Sequence, residues 1–245
     1  MPTGTKAFSI EIETPDGRLP PAQVIVPDGP LGLAHLVEPI YGLCDGIVNL
    51  AIRKAVQSEG SITCHSGCGA CCRQMVPVSI PEAFYLWHET ISVGIGTTPL
   101  IDRFSSCRRV LEQNGLWKKL EHCSNGKEQV EAAAEYWSLS IPCPYLVNES
   151  CSIYPSRPCA CREYNVLSAP SLCTKPMSSH IKRLVIHRRL TTALSKTAGD
   201  VLSSAPILIP LAQIPQWCEA HRELDTMRWD GIQLFELMLF FASKG

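Results

Sequence analysis

Nine consecutive residues, Cys64-His65-Ser66-Gly67-Cys68-Gly69-Ala70-Cys71-Cys72, carry four sulfurs. That is more soft-ligand density than packing or thiol catalysis needs. Gly67 and Gly69 stand between the sulfurs, where a backbone that must curl tightly around an ion needs conformational freedom. A second group follows about 70 residues later: Cys143-Pro144-Tyr145-Leu146, Cys151-Ser152-Ile153-Tyr154, Arg157-Pro158-Cys159-Ala160-Cys161-Arg162, and Cys173. Short spacers let one loop supply two or three thiolates to a metal at about 2.3 Å, and Cys64-x3-Cys68-x2-Cys71 has such spacers. The expectation is that the two groups fold together around one metal centre, or two adjacent ones. Spacing does not choose between zinc and an iron–sulfur cluster, since both take three or four thiolates each.

A chain of 245 residues buries enough core to dispense with covalent staples, so its 13 cysteines are not needed for stability. The odd count and the vicinal Cys71-Cys72 also fit a disulfide framework poorly. The first residues lack a basic segment followed by an apolar one, and the run from Ile232 to Phe241 is half of the roughly 20 residues a membrane span needs. A soluble, cytoplasmic protein with no membrane partner is expected. Thiols persist in a reducing compartment and there serve metals more often than disulfides. A net charge of −1 lacks the basic footprint of a nucleic-acid binder, and the pairs at Arg108-Arg109, Lys118-Lys119 and Arg188-Arg189 read as solvated faces.

Periodicity predicts a mainly α fold with a small N-terminal β-ribbon (α+β): one domain over 1–245, comprising a ribbon within 1–30, a cysteine-cluster region at 60–176 and a helical part at 177–245. In the ribbon, Phe8, Ile10 and Ile12 alternate, Pro15-Asp16-Gly17 turns the chain, and Gln23 to Val26 returns it. A long amphipathic helix is expected from Leu31 to Glu59, with Pro39 kinking it or marking its start and Gly60 ending it. Further helices are expected from Pro81 to Ile91 behind a Ser79 cap, over 98–122 with a break at Asn114-Gly115, and over 127–138 with Val130, Ala133, Ala134 and Trp137 inward. Residues 191–202, 215–225 and 230–243 are also read as helical. Residues 181–190 suit a strand or a helix start. The stretch 141–176 has no period, and a metal is the simplest source of its order. Cys44 and Cys107 fall on apolar stripes and read as core, Cys123 stands at a helix end, and Cys218 with His221 reads as a buried thiol beside a half-exposed ring.

Two catalytic readings compete. The C-x3-C-x2-C spacing is shared with radical S-adenosylmethionine enzymes, but Ala70 stands where those carry an aromatic and no strand–helix alternation is present. A thiol nucleophile at Cys71 or Cys72, activated by His65, would leave the other sulfurs without a role.

Taken with Glu82-Ala83, ten residues past the first group, the two blocks agree in order and spacing with a known pattern. Residues 60–175 resemble the YkgJ-type cysteine-cluster family, described as a zinc- or iron-chelating domain. The resemblance implies metal ligation by Cys64, Cys68, Cys71, Cys72, Cys143, Cys151 and Cys161, with Cys173 as a later thiol, and leaves Cys159 as a substitute ligand or a bystander. The cluster is also distantly similar to that of flagellin lysine N-methylases, which implies a 4Fe-4S centre. Arg157 and Arg162 are candidate hydrogen-bond donors to cluster sulfurs, the alternative being caps on loop carbonyls. Functions consistent with these residues are a metal-binding protein, an iron–sulfur-dependent enzyme of methylase or redox type, or a metal carrier or sensor.

Overall fold

A computed structural model describes residues 4–92, 98–122, 126–175 and 180–244. Cys123 and the Pro176 boundary of the cysteine region lie outside these residues. The ribbon forms as the alternation requires: β1 (Gly4–Ile10) pairs antiparallel with a later strand, Phe8 facing Val24 and Ile10 facing Ala22. Between them β2 (Glu13–Thr14) and β3 (Gly17–Arg18) make a small hairpin about Pro15-Asp16, and β4 (Ala22–Asp28) returns. Strand β5 (Pro30–Leu31) leads into a single 3-10 turn and then α1 (Val37–Glu59). Pro39 falls in the first turn of α1, where its missing N–H costs nothing, so it marks the start of the helix and does not kink it. Gly60 ends α1 with φ 103°, a conformation open to glycine.

After the first cysteine loop, β6 (Pro77–Val78) precedes α2 (Ile80–Ser92). Ser79 and Glu82 cap α2 reciprocally: the Glu82 carboxylate accepts from the Ser79 N–H at 3.1 Å and hydroxyl at 2.7 Å, and the Glu82 N–H reaches the Ser79 hydroxyl at 3.5 Å. Helices α3 (Thr98–Gln113) and α4 (Leu116–Glu121) break at Gly115 in the left-handed region. In α5 (Gly126–Ser138) the inward positions are Ala132, Tyr136 and Trp137, while Val130 is exposed. The expected register there was displaced because Ala132 and Tyr136 pack on α3 and α4 around Cys107.

The segment from 141 to 175 holds only short elements: β7 (Leu146–Val147) paired with β8 (Ser150–Cys151), α6 (Cys159–Glu163) and two 3-10 turns. Residues 181–189 form no named element and make one bridge, Val166 to Arg183. Helix α7 (Leu190–Val201), strand β9 (Ile209–Pro210), helices α8 (Ile214–Ala220) and α9 (Arg222–Thr226), strand β10 (Trp229–Asp230) and α10 (Gly231–Lys244) complete the fold. β9 pairs with β6 and β10 with β5, so the C-terminal part is sewn to the N-terminal part at two places.

One core runs from Ile10 on the ribbon to Ala242 near the last residues, through α1, α2, α7 and α10. The apolar run that ends the chain is the inner face of α10, with Leu234, Phe235 and Met238 at most 2% exposed and Phe235 against Phe8 at 5.1 Å between ring centroids. Each such side chain contributes about 1.5–3 kcal/mol of burial. No helix among the described residues is long and apolar enough to cross a membrane. Cys44, Cys107 and Cys218 are buried, and His221 stacks on Trp217 with its Nδ1 on the Trp217 carbonyl at 2.8 Å.

Candidate metal centre

The first cysteine block is a run of tight turns between α1 and β6. Cys68 N–H bonds the His65 carbonyl, Cys72 N–H that of Gly69 and Gln74 N–H that of Cys71. Gly67 takes φ +89° with open space beyond it. The second block is tied to this run by several hydrogen bonds. Cys143 N–H donates to the Cys72 carbonyl at 2.7 Å, Thr63 bonds the carbonyls of Val166 and Ser168, and Gln74 Nε2 donates to the Tyr164 hydroxyl at 3.2 Å. Arg73 forks onto Glu149 at 2.6 and 3.0 Å. The two blocks, far apart in sequence, are thus one structural unit.

Gly69 is where they touch most closely. A Cβ there would lie 2.4 Å from the Glu149 carbonyl oxygen and 2.8 Å from Leu146 Cδ1. Because the first of these is backbone, Gly69→Ala must push the β7–β8 hairpin off the loop. The expected cost is about 1–3 kcal/mol, read as a lower urea midpoint, together with faster amide exchange across 146–151.

All 12 cysteines among the described residues are free. Eight lie in or beside this unit, in two overlapping sets. Burial raises the Cys64 thiol, and its neighbours Cys71 and Cys68 add to that, while the Val166 N–H, 3.3 Å from its sulfur, and the Arg157 charge oppose it. Cys173 is pushed up to about 11 by burial and by the nearby Cys71 and Cys64. Across the unit, burial also raises Cys161, with Cys71 and Cys151 beside it, and raises Cys143, with Cys161 and Cys151 beside it. Cys151 is raised by burial and by Cys71. Cys71 belongs to both sets, its own thiol raised first by a hydrogen bond with Cys72 and then by burial.

Arg157 is the cation these sulfurs share. Its charge opposes the upward shifts of Cys64, Cys71, Cys151 and Cys161, its guanidinium lies 3.9 Å over the Tyr154 ring, and its buried Nε has no hydrogen-bond partner. Of the two roles expected for Arg162, the structure gives it the second, a cap on loop carbonyls. Its fork is spent on the Arg157 carbonyl at 2.8 Å, the Pro155 carbonyl and Asp45 at 2.5 Å, and it lies 4.2 Å over Tyr41. It caps the loop from the core side and does not face the sulfurs, because Asp45 on α1 offers it a carboxylate. Cys159 turns the same way: fully buried, it donates its N–H to Glu82 at 2.6 Å and sets its thiol against Cys44. Two residues apart on a short helix, Cys159 and Cys161 serve opposite sides, and Cys159 is a bystander to the cluster.

Among the described residues no three His, Cys, Asp or Glu side chains come close enough together to hold a metal ion. The thiols are neighbours but not a convergent ligand set. They are soft donors, crowded together, with one cation short of a hydrogen-bond partner beside them. Thiol catalysis fits less well, since a nucleophile needs its thiol lowered and Cys71 is raised. His65 Nδ1 is engaged by the Ser66 carbonyl at 2.8 Å. The space beside Cys143, lined by Gln74, Tyr136 and Leu211, is about 10 Å³, one water at most. A larger cleft of about 540 Å³ lies between the ribbon and α1, lined by Leu19, Val24, Ile25 and Gly42 and by none of the cysteines.

Two contributors escape a reading of the sequence. Val166 supplies an N–H to the Cys64 sulfur from an apolar position that carries no motif. Trp137 packs with Val166 and Cys173 against Cys64, Ala70 and Cys71, and a tryptophan on a helix reads only as core. Compared with protein-family models, curated proteins and solved structures, the chain matches none.

Proposed function

We propose that this chain is a cytoplasmic metal-binding protein whose Cys64, Cys68, Cys71, Cys72, Cys143, Cys151, Cys161 and Cys173 hold an iron–sulfur cluster or zinc, as in the YkgJ-type pattern. The observation that carries the reading is that the two cysteine blocks are joined directly, Cys143 N–H to the Cys72 carbonyl at 2.7 Å, with Cys64, Cys71 and Cys173 in one packed cluster. Burial raises the thiols of Cys64, Cys71, Cys143, Cys151, Cys161 and Cys173, so metal would be taken up there with release of protons. Bound iron and sulfide would supply one-electron chemistry; zinc would supply a fixed crosslink. The chain's own part is to bring two loops into register and to set one guanidinium beside the sulfurs. The 12 described cysteines are all free thiols, which supports a reducing compartment.

The test is elemental analysis for iron, zinc and sulfide, with an absorption spectrum, on protein purified without oxygen. A brown sample with about four irons per chain and a band that bleaches on reduction identifies a cluster. A colourless sample with one or two zincs identifies a structural or metal-handling site. Protein that holds neither metal, even after reconstitution under reducing conditions, overturns the reading.

A further inference from the structure

Between Glu163 and Asp200 the chain carries no carboxylate side chain. Residues 164–199 hold six lysines and arginines, Lys175, Lys182, Arg183, Arg188, Arg189 and Lys196, in a chain whose net charge is −1. A run of one sign marks an interaction surface when its charges lie together and stay in water. Here Ile181, Leu184 and Ile186 are buried, while Lys182, Arg183, His187 and Arg189 stand exposed with Val185 among them at 63%. The carboxylates nearest to them are turned inward: the Asp16 side chain, 3.8 Å from His187, is largely buried, and Glu163 is spent on the Thr191 N–H and hydroxyl.

The backbone of the same segment is an edge. Leu167 N–H donates to the Lys182 carbonyl and Leu184 N–H to the Asn165 carbonyl, both at 2.8 Å, so the segment runs antiparallel to 165–167 about the Val166–Arg183 bridge. Val166 is held from its other side, its carbonyl by the Thr63 N–H and its own N–H by the Cys64 sulfur. Residues 182–184 are therefore the outer row of a short ladder. Backbone groups alternate along an extended chain, so those of Arg183 and Val185 point away from that ladder, and among the described residues no hydrogen bond reaches their N–H or C=O. Such an edge is a template for an added strand.

We propose that residues 182–186 are a docking edge for an acidic, extended segment of a partner protein, which pairs its backbone with Arg183 and Val185 and sets carboxylates against Arg183 and Arg189. Cations along an edge repel a second copy of the same edge, and so select an acidic strand over self-association. The exposed Val185 selects further, for a strand whose carboxylates alternate with apolar residues, since cross-strand neighbours pair by kind. A nucleic-acid backbone would engage the cations and leave the edge amides and Val185 unused.

The test uses the full chain and a short dye-labelled peptide of alternating glutamate and valine, followed by fluorescence anisotropy at low salt, with a short oligothymidine in parallel. Saturable binding of the peptide is expected, and it should weaken as salt screens the charges. Arg183→Glu, and Val185→Pro, which removes one edge N–H, are each expected to lower the affinity about tenfold, while Lys118→Glu on the distant α4 leaves it unchanged. Absence of peptide binding by the parent chain overturns the proposal, as does tighter binding of the oligothymidine, or peptide binding that either edge substitution leaves intact. Where Val185→Pro lowers the urea midpoint, amide exchange of the parent chain decides instead: slower exchange at Arg183 and Val185 on addition of the peptide is expected, and unchanged exchange at both overturns the edge.

Discussion

Glu82→Ala is expected to lower the unfolding free energy by about 3 kcal/mol or more, the largest effect of any single carboxylate in this chain. Glu82 is fully buried, and its two oxygens accept from the Ser79 N–H, the Ser79 hydroxyl and the Cys159 N–H. Alanine leaves these donors buried without acceptors, and each costs about 1–3 kcal/mol in part or in full. The Cys159 contact makes the effect more than local, since it ties α6, and with it Cys161, to the start of α2. Urea unfolding measures the loss, and hydrogen exchange at the Cys159 amide locates it. Glu82→Gln separates shape from charge. Burial raises the Glu82 carboxyl above 4.5, against the pull of its hydrogen bonds to Cys159 and Ser79. Between 4.5 and the raised value the unfolded chain has released a proton that the folded chain retains, so stability falls as pH rises through that window. The urea midpoint of Glu82→Gln is expected to lose that part of the slope; an unchanged slope would assign it to another group.

Cys71→Ser is expected to abolish metal loading, where Cys107→Ala leaves it intact. The two thiols are a sharp pair. Cys71 neighbours both halves of the thiol group, while Cys107 sits in the separate cluster of α3, α4 and α5, 3.6 Å from the Tyr136 hydroxyl. Cys107→Ala therefore costs stability through its cavity, about 1 kcal/mol, and no metal. Metal content per chain after anaerobic reconstitution reads the contrast directly. Limited proteolysis adds a second readout, since a Cys71→Ser chain that cannot load should be cut more readily across 141–175. Full metal content in Cys71→Ser would show that the two blocks do not share a centre.

The parts of this fold that sequence makes legible are those whose cause lies within a few residues. Gly60 stops α1, Ser79 starts α2, Gly115 separates α3 from α4 and Pro39 opens α1, each by a local rule of backbone or cap. The cysteine pattern names two blocks that the fold joins, though among the described residues their side chains do not converge as a ligand set. What it does not disclose is what each residue meets across long separations. Arg162 finds Asp45 at 117 positions' distance, and so turns from the sulfurs. Cys159 looks like one more ligand until Glu82, 77 positions away, claims its N–H. The inner face of α5 follows from Cys107 and the helices before it, not from its own period, so Val130, inward by that period, stands outside.

The two short pairings that join the ends of the chain also set an order of assembly. β5 cannot pair until β10, and β6 cannot pair until β9, has been synthesised. Both cysteine blocks are complete once Cys173 has been made, while the helices that close the core, α7 and α10, are still to come. Contacts of such long separation form late and slowly. During synthesis both cysteine blocks therefore leave the ribosome before α7 and α10 can close the core that α1 and α2 share with them.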